Sequence, residues 1–149
     1  MKKTILAAAM VLMIGLSAFA EKGGEVNKQA MTAFGRDFAG ARNAVWEQTD
    51  NFSKVTFRLN DQVLFAFYNS NGELQAVMRN ILSDQLPLTL LADLKKNYTG
   101  FWISELFEMA SDDRTTYYVC LENADKTIVL KSEGTDSWSV YSKVKKDSE

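Results

Sequence analysis

Histidine is absent from this 149-residue chain, and cysteine and proline occur once each. Without histidine, neither a Ser-His-Asp nor a Cys-His nucleophile system can be assembled. The lone Cys120 has no partner for an intrachain disulfide. There is no glycine-rich phosphate loop. Clustered positive charge is missing too, apart from Lys143 to Lys146 near the end. Phosphate backbones need such clusters, so nucleic acid is excluded as an expected partner. Beyond the first twenty residues no apolar run approaches the ~20 residues of a membrane helix, so no membrane span is expected in the mature chain.

What the chain does have begins at its N-terminus. Met1-Lys2-Lys3 is a short positive region, Ile5 to Leu16 is apolar, and Ser17-Ala18-Phe19-Ala20 ends in the small-x-small pattern that signal peptidase accepts. Residues 1–20 therefore read as a cleaved signal peptide, with cleavage after Ala20 and a periplasmic or secreted destination. No cysteine follows that point, so no lipoprotein anchor is indicated. Taking 20 residues from 149 leaves 129; taking Lys2 and Lys3 from 17 basic residues leaves 15 against 19 acidic, a net charge of −4. That length suffices for one domain with a hydrophobic core, and 46% hydrophobic residues argue against disorder.

Residues 21–25 form a loose leader, 26–144 a single domain in two halves (26–80 and 84–144), and 145–149 a charged tail. Val26, Ala30, Ala33, Phe34 and Phe38 recur at helical spacing, with Gly40 where a left-handed cap belongs. The spacing predicts a helix over roughly 26–38. Alternation at Ser53 to Leu59, Gln62 to Tyr68 and Glu73 to Arg79 predicts strands, after a first one at Asn43 to Gln48. Asn71-Gly72 reads as a type I′ hairpin turn. Pro87 fits a first helical turn, Leu90, Leu91, Leu94 and Tyr98 its apolar face, and Gly100 its cap. Strands follow at about 101–109, 115–122, 126–131 and 137–144. Phe38-Ala39-Gly40 and Tyr98-Thr99-Gly100 suggest an internal repeat. The expected class is α+β: two tandem helix-plus-antiparallel-sheet halves (α-β-β-β-β twice), sharing one continuous sheet with the helices on one face.

Phe38-Ala39-Gly40-Ala41-Arg42-Asn43-Ala44-Val45-Trp46 resembles a stretch found in PepSY-like proteins, also described as β-lactamase-inhibitor-like. Leu64 to Leu74, Leu86-Pro87 and Tyr98 to Ile103 resemble later parts of that family's pattern. The likeness spans most of 26–144 and rests on the order of the motifs. Ala39 stands where such sequences often carry proline, and Leu106 where a second Trp46 would fall. The resemblance implies a small exported α+β domain with an inhibitory or binding role.

Catalytic alternatives are poor. Asp112-Asp113 sit in a polar turn, and Glu105 and Glu108 alternate to opposite faces of a strand. Asn69 to Glu73 has too few carboxylates for a calcium loop, so no metal or cofactor is expected. Asn51-Phe52-Ser53 and Asn97-Tyr98-Thr99 match the glycosylation pattern by accident. Cys120 lies in a strand-like stretch, which makes it a buried core residue; an intermolecular disulfide or a reactive thiol are the alternatives.

Aromatics carry more information. Gln62 to Tyr68 is apolar on both faces, which a sheet covered on one side does not require. Such side chains either pack the sheet or form an open recognition surface. On the second reading, Tyr68, Trp102, Tyr118 and Trp138 are the expected contacts, ringed by Arg58, Arg79 and Glu108, and the partner is an envelope or extracellular protein. The chain is then a non-catalytic binding module. The alternative is a carrier or sensor of a small hydrophobic ligand, and a carboxylate enzyme is a third reading.

Overall fold

The computed structural model describes residues 24–147. The signal segment read over 1–20 lies outside them, as do residues 21–23 of the leader and 148–149 of the tail. Helix α1 (Lys28–Asp37) leads into strands β1 (Arg42–Gln48), β2 (Phe52–Leu59), β3 (Gln62–Asn69) and β4 (Leu74–Asn80). A 3-10 turn (Ser83–Gln85) and helix α2 (Leu88–Asn97) follow. Strands β5 (Trp102–Ser111), β6 (Arg114–Glu122), β7 (Lys126–Ser132) and β8 (Ser139–Lys145) complete the chain. The strands form one antiparallel sheet in the order β1-β2-β3-β4-β5-β6-β7-β8.

Local chemistry sets the turns. Asn27 caps α1 by accepting hydrogen bonds from Gln29 N (2.8 Å) and Ala30 N (3.3 Å). Pro87 occupies the cap position before α2, where its missing N–H costs nothing. Asn60-Asp61 and Asp112-Asp113 both hold positive φ, the paired left-handed conformation of a type I′ hairpin. The Asn71-Gly72 turn differs from its expected form: only Gly72 is left-handed (φ 75), and Gly72 N donates to Asn69 O at 3.0 Å. This is a tight turn closed by a left-handed glycine, and further along β4 the register shift at Phe67/Tyr68 leaves Gln75 as a separate bulge. Glycine is required there twice over, because a Cβ would stand 2.7 Å from Gln29 Cβ on α1. Gly40 does take positive φ (88), whereas Gly100 does not; both helices close through equivalent bonds, Phe38 N to Phe34 O at 2.9 Å and Tyr98 N to Leu94 O at 3.0 Å.

Both helices lie on the same side of the sheet. Ala30 and Ala33 let α1 approach Val55, Phe57, Ala66 and Tyr68 closely, with Phe34, Phe38 and Trp46 filling the margin. Phe34 meets Trp46 and Phe57 edge-on at 5.4 and 5.0 Å, a favoured aromatic geometry. Leu90 and Leu94 of α2 are buried, and Leu94 joins Leu106, Val119, Leu121 and Leu130. Each such side chain contributes roughly 1.5–3 kcal/mol on full burial. The opposite face carries a third cluster, built from strand residues alone among the described residues: Phe52, Phe67, Ala76, Met78, Phe107, Met109, Tyr118 and Val129.

The expected α+β class of two tandem helix-plus-sheet halves is corrected by this architecture. Among the described residues the molecule is mainly β: one eight-stranded antiparallel sheet carries two helices, each of ten residues. β4 pairs with β5 as any other neighbours do, so the sheet runs on through the point where two halves would have met. Helical spacing weighted the reading toward helices; both are short, and hydrogen-bonded strand pairing organises the chain.

Candidate functional site

The register defines rows of side chains on the face turned away from the helices. One row runs Val45–Thr56–Phe65–Met78–Met109–Thr116 across six strands. A second includes Phe107–Tyr118–Lys131–Ser139. Two more lie toward the β7–β8 corner, Glu105–Cys120–Val129–Ser142 and Trp102–Glu122–Thr127–Val144. The floor is buried and apolar. Its exposed apolar members stand at the margins: Val45 and Val144 at 61% and Trp102 at 54%, with Val63 of β3 also exposed.

The four expected contacts divide between the two faces. Tyr68 is fully buried on the helix side, where its hydroxyl donates to Asp37 Oδ2 at 3.2 Å. Burial first, then the Asp37 charge, pushes that phenol well above its ordinary range. Trp138 precedes β8, packs with the α2 cluster, and donates from Nε1 to Leu90 O at 3.0 Å. Tyr118 lies on the other face but is only 1% exposed, its ring edge-on to Tyr141 at 5.9 Å. Its hydroxyl has no hydrogen-bond partner, and burial lifts it to about 12, helped by Tyr141 and Glu133. Trp102 shares that face and is exposed, with Lys146 Nζ 5.3 Å from its ring centroid. Of the ring of charges, Arg58 is on Trp102's face, while Arg79 and Glu108 pair on the helix side at 3.0 Å.

Around Trp102 the margin is polar and layered. Lys146 Nζ bridges to Glu122 Oε2 at 3.5 Å. Glu105 faces Cys120 across β5 and β6, and its Oε2 is buried without a partner. Desolvation, reinforced by Glu122, raises the Glu105 carboxyl above the ordinary carboxylate value. The same burial, with Glu105 and Glu122 nearby, lifts the Cys120 thiol to about 11. Only thiolate is nucleophilic, so this cysteine is protonated and chemically quiet at neutral pH. Glu105 and Glu108 do fall on opposite faces and do not converge. Among the described residues no group of three or more Cys, Asp or Glu is placed to hold a metal.

Val45, Val63 and Val144, and Lys54 stacked over Phe65 at 5.3 Å while paired to Glu47 at 3.0 Å, were not anticipated as site members. The two-sided apolar character of Gln62 to Tyr68 was the available signal for Val63 and Phe65. An isolated valine in an edge strand, such as Val45, carries none.

No family model and no curated protein matches the chain. Solved structures do share its fold. A DUF2874 family protein from Bacteroides ovatus superposes with a TM-score of 0.70 at 14% identity, covering 83% of this chain and 89% of that one. A protein of provisional periplasmic assignment from Bacteroides eggerthii gives 0.69 at 9% identity, over 82% and 90%. A BLIP-like protein from Bacteroides fragilis gives 0.66 at 15% identity, over 83% and 89%. At these identities the likeness establishes a BLIP-like fold and leaves function to the residues.

Proposed function

We propose that this chain is an exported, non-catalytic binding module that recognises another protein with the sheet face opposite its helices. The observation that carries this reading is the division of the sheet. Both helices pack one face, and on the other Trp102, Val45, Val63 and Val144 stand exposed around a rigid apolar floor. Exposed aromatic and aliphatic anchors on a pre-ordered surface bind without a large ordering cost. Trp102 is then the principal contact, and Tyr118 supports it from within the floor. Tyr68 and Trp138 secure the helices and meet no partner directly. The signal-like N-terminus and the BLIP-like fold support an envelope or extracellular partner. The histidine-free composition and quiet thiol agree with the absence of catalysis.

The test is affinity capture of envelope proteins on the mature chain, residues 21–149, beside a Trp102→Ala/Val144→Ser variant. A protein held by the first and released by the second, with a saturable affinity on repurification, supports the reading. Equal capture by both chains removes this face from consideration.

A further inference from the structure

On the helix side, an open groove of about 320 Å³ lies between the C-terminal half of α2 and the start of β5. Leu94 and Leu121 form its buried floor, and Leu91, Tyr98, Phe101 and Ile103 its walls. Tyr98 and Phe101 meet edge-on at 6.1 Å, which fixes one wall. The polar lining is sparse: Lys95 and the hydroxyl-bearing Ser83 and Thr99.

Charge is what gives this groove a direction. Lys95 enters none of the ion pairs among the described residues, and neither does Lys126, whose Nζ sits 5.6 Å from the Phe101 ring centroid. Of the nearby acids, Asp93 is engaged by Asn97 Nδ2 on its own helix, and Asp84 neighbours Ser83 at the far end. Lys95 and Lys126 thus place two ammonium groups, without a carboxylate partner among the described residues, beside an apolar groove. We propose that this groove binds one medium-chain fatty acid, its carboxylate at Lys95 and its acyl chain laid over Leu94 and Leu121. The volume sits at the low end of ligand sites, roughly 300–1,000 Å³, so a single short chain fits and a two-chain lipid does not. A neutral or cationic amphiphile gains nothing from Lys95. This inference is independent of the recognition face, since groove and face lie on opposite sides of the sheet.

The experiment is a titration of isotope-labelled mature chain with decanoate, followed by amide chemical shifts. Saturable shifts confined to α2 and the start of β5 are expected. Affinity should rise about three- to fourfold per methylene from hexanoate to decanoate, as apolar burial dictates. Decanol and decylammonium should bind more weakly than decanoate, and Lys95→Glu should weaken decanoate roughly fivefold or more. Ile103→Trp, which fills the groove from an exposed strand position, should abolish the shifts while the rest of the spectrum stays native. Non-saturating shifts, equal affinity for decanol and decanoate, or unchanged binding by Ile103→Trp would each overturn the proposal.

Discussion

Arg79 Nε and Glu108 Oε1 stand 3.0 Å apart across the β4–β5 pair, in the stretch of sheet that joins the α1 cluster to the α2 cluster. Their row continues through Leu64 on one side and Tyr117 on the other, and burial, with Glu108 close by, raises the Tyr117 phenol above its ordinary range. Both side chains are about one-third exposed or less, so the pair is partly shielded from solvent. Replacing either partner alone strands the other. Arg79→Met and Glu108→Gln should each cost roughly 1–2 kcal/mol in urea denaturation. The double variant should cost clearly less than the two losses combined.

Gly72 and Gly40 both hold positive φ, yet their surroundings differ. A Cβ at Gly72 meets α1 at 2.7–3.0 Å, whereas one at Gly40 meets nothing within 4 Å. Gly40→Ala should cost only the left-handed penalty, about 1 kcal/mol. Gly72→Ala must also displace the first turn of α1 and should cost about 2–3 kcal/mol or more. Denaturation midpoints of the two variants check this ordering.

Trp102 and Tyr68, both expected contacts, sit in opposite settings, one exposed and one fully buried. Trp102→Ala removes an exposed ring and should change stability by less than about 1 kcal/mol. Tyr68→Ala empties a fully buried site and should cost roughly 3–5 kcal/mol. Tyr68→Phe, which keeps the ring and loses only the bond to Asp37, should fall near 1 kcal/mol. Thermal melts separate the three.

Glu105 makes the fold sensitive to pH in an unusual direction. Its carboxyl is raised above the ordinary 4.5 by desolvation and by Glu122. Below that value it is protonated in folded and unfolded chains alike. As pH climbs past it, the unfolded chain ionises first, so this group subtracts stability up to the raised folded value. Glu105→Gln should therefore melt higher than the wild type near pH 7, with the gap closing near pH 4. A gap of equal size at both values would show that ionisation of Glu105 is not its source.

Much of the fold was legible because its signals are local. Asp112-Asp113 marked a polar turn, Pro87 marked the entry to α2, and alternation located the strands within a few residues. Face assignment was not legible for a physical reason. Alternation sorts Phe67 from Tyr68 but is silent on which of them meets a helix; that follows from where Ala30 and Ala33 permit α1 to settle. Trp138 escaped alternation altogether, because it lies one residue before β8 and is drawn to the helix side by its bond to Leu90 O. Cys120 was readable as a strand residue but is only partly buried against the strand cluster; its thiol is raised first by desolvation and then by Glu105 across the strand pair, a contact that only register creates.

The strict order of the strands governs how the chain reaches this state. Every strand after the first pairs with its immediate predecessor, and four of the seven connections (β1–β2, β2–β3, β5–β6 and β6–β7) span no more than three residues. Such pairing closes small loops first and keeps contact order low, which favours rapid folding. A chain emerging from its N-terminus during synthesis can therefore add each strand to a finished edge in turn. β1 remains one edge throughout, and at the growing end it is β8, with lysines at 143 and 145, that closes the series. Charged terminal strands discourage sheet-to-sheet association, so the order of synthesis leaves the protective edge for last.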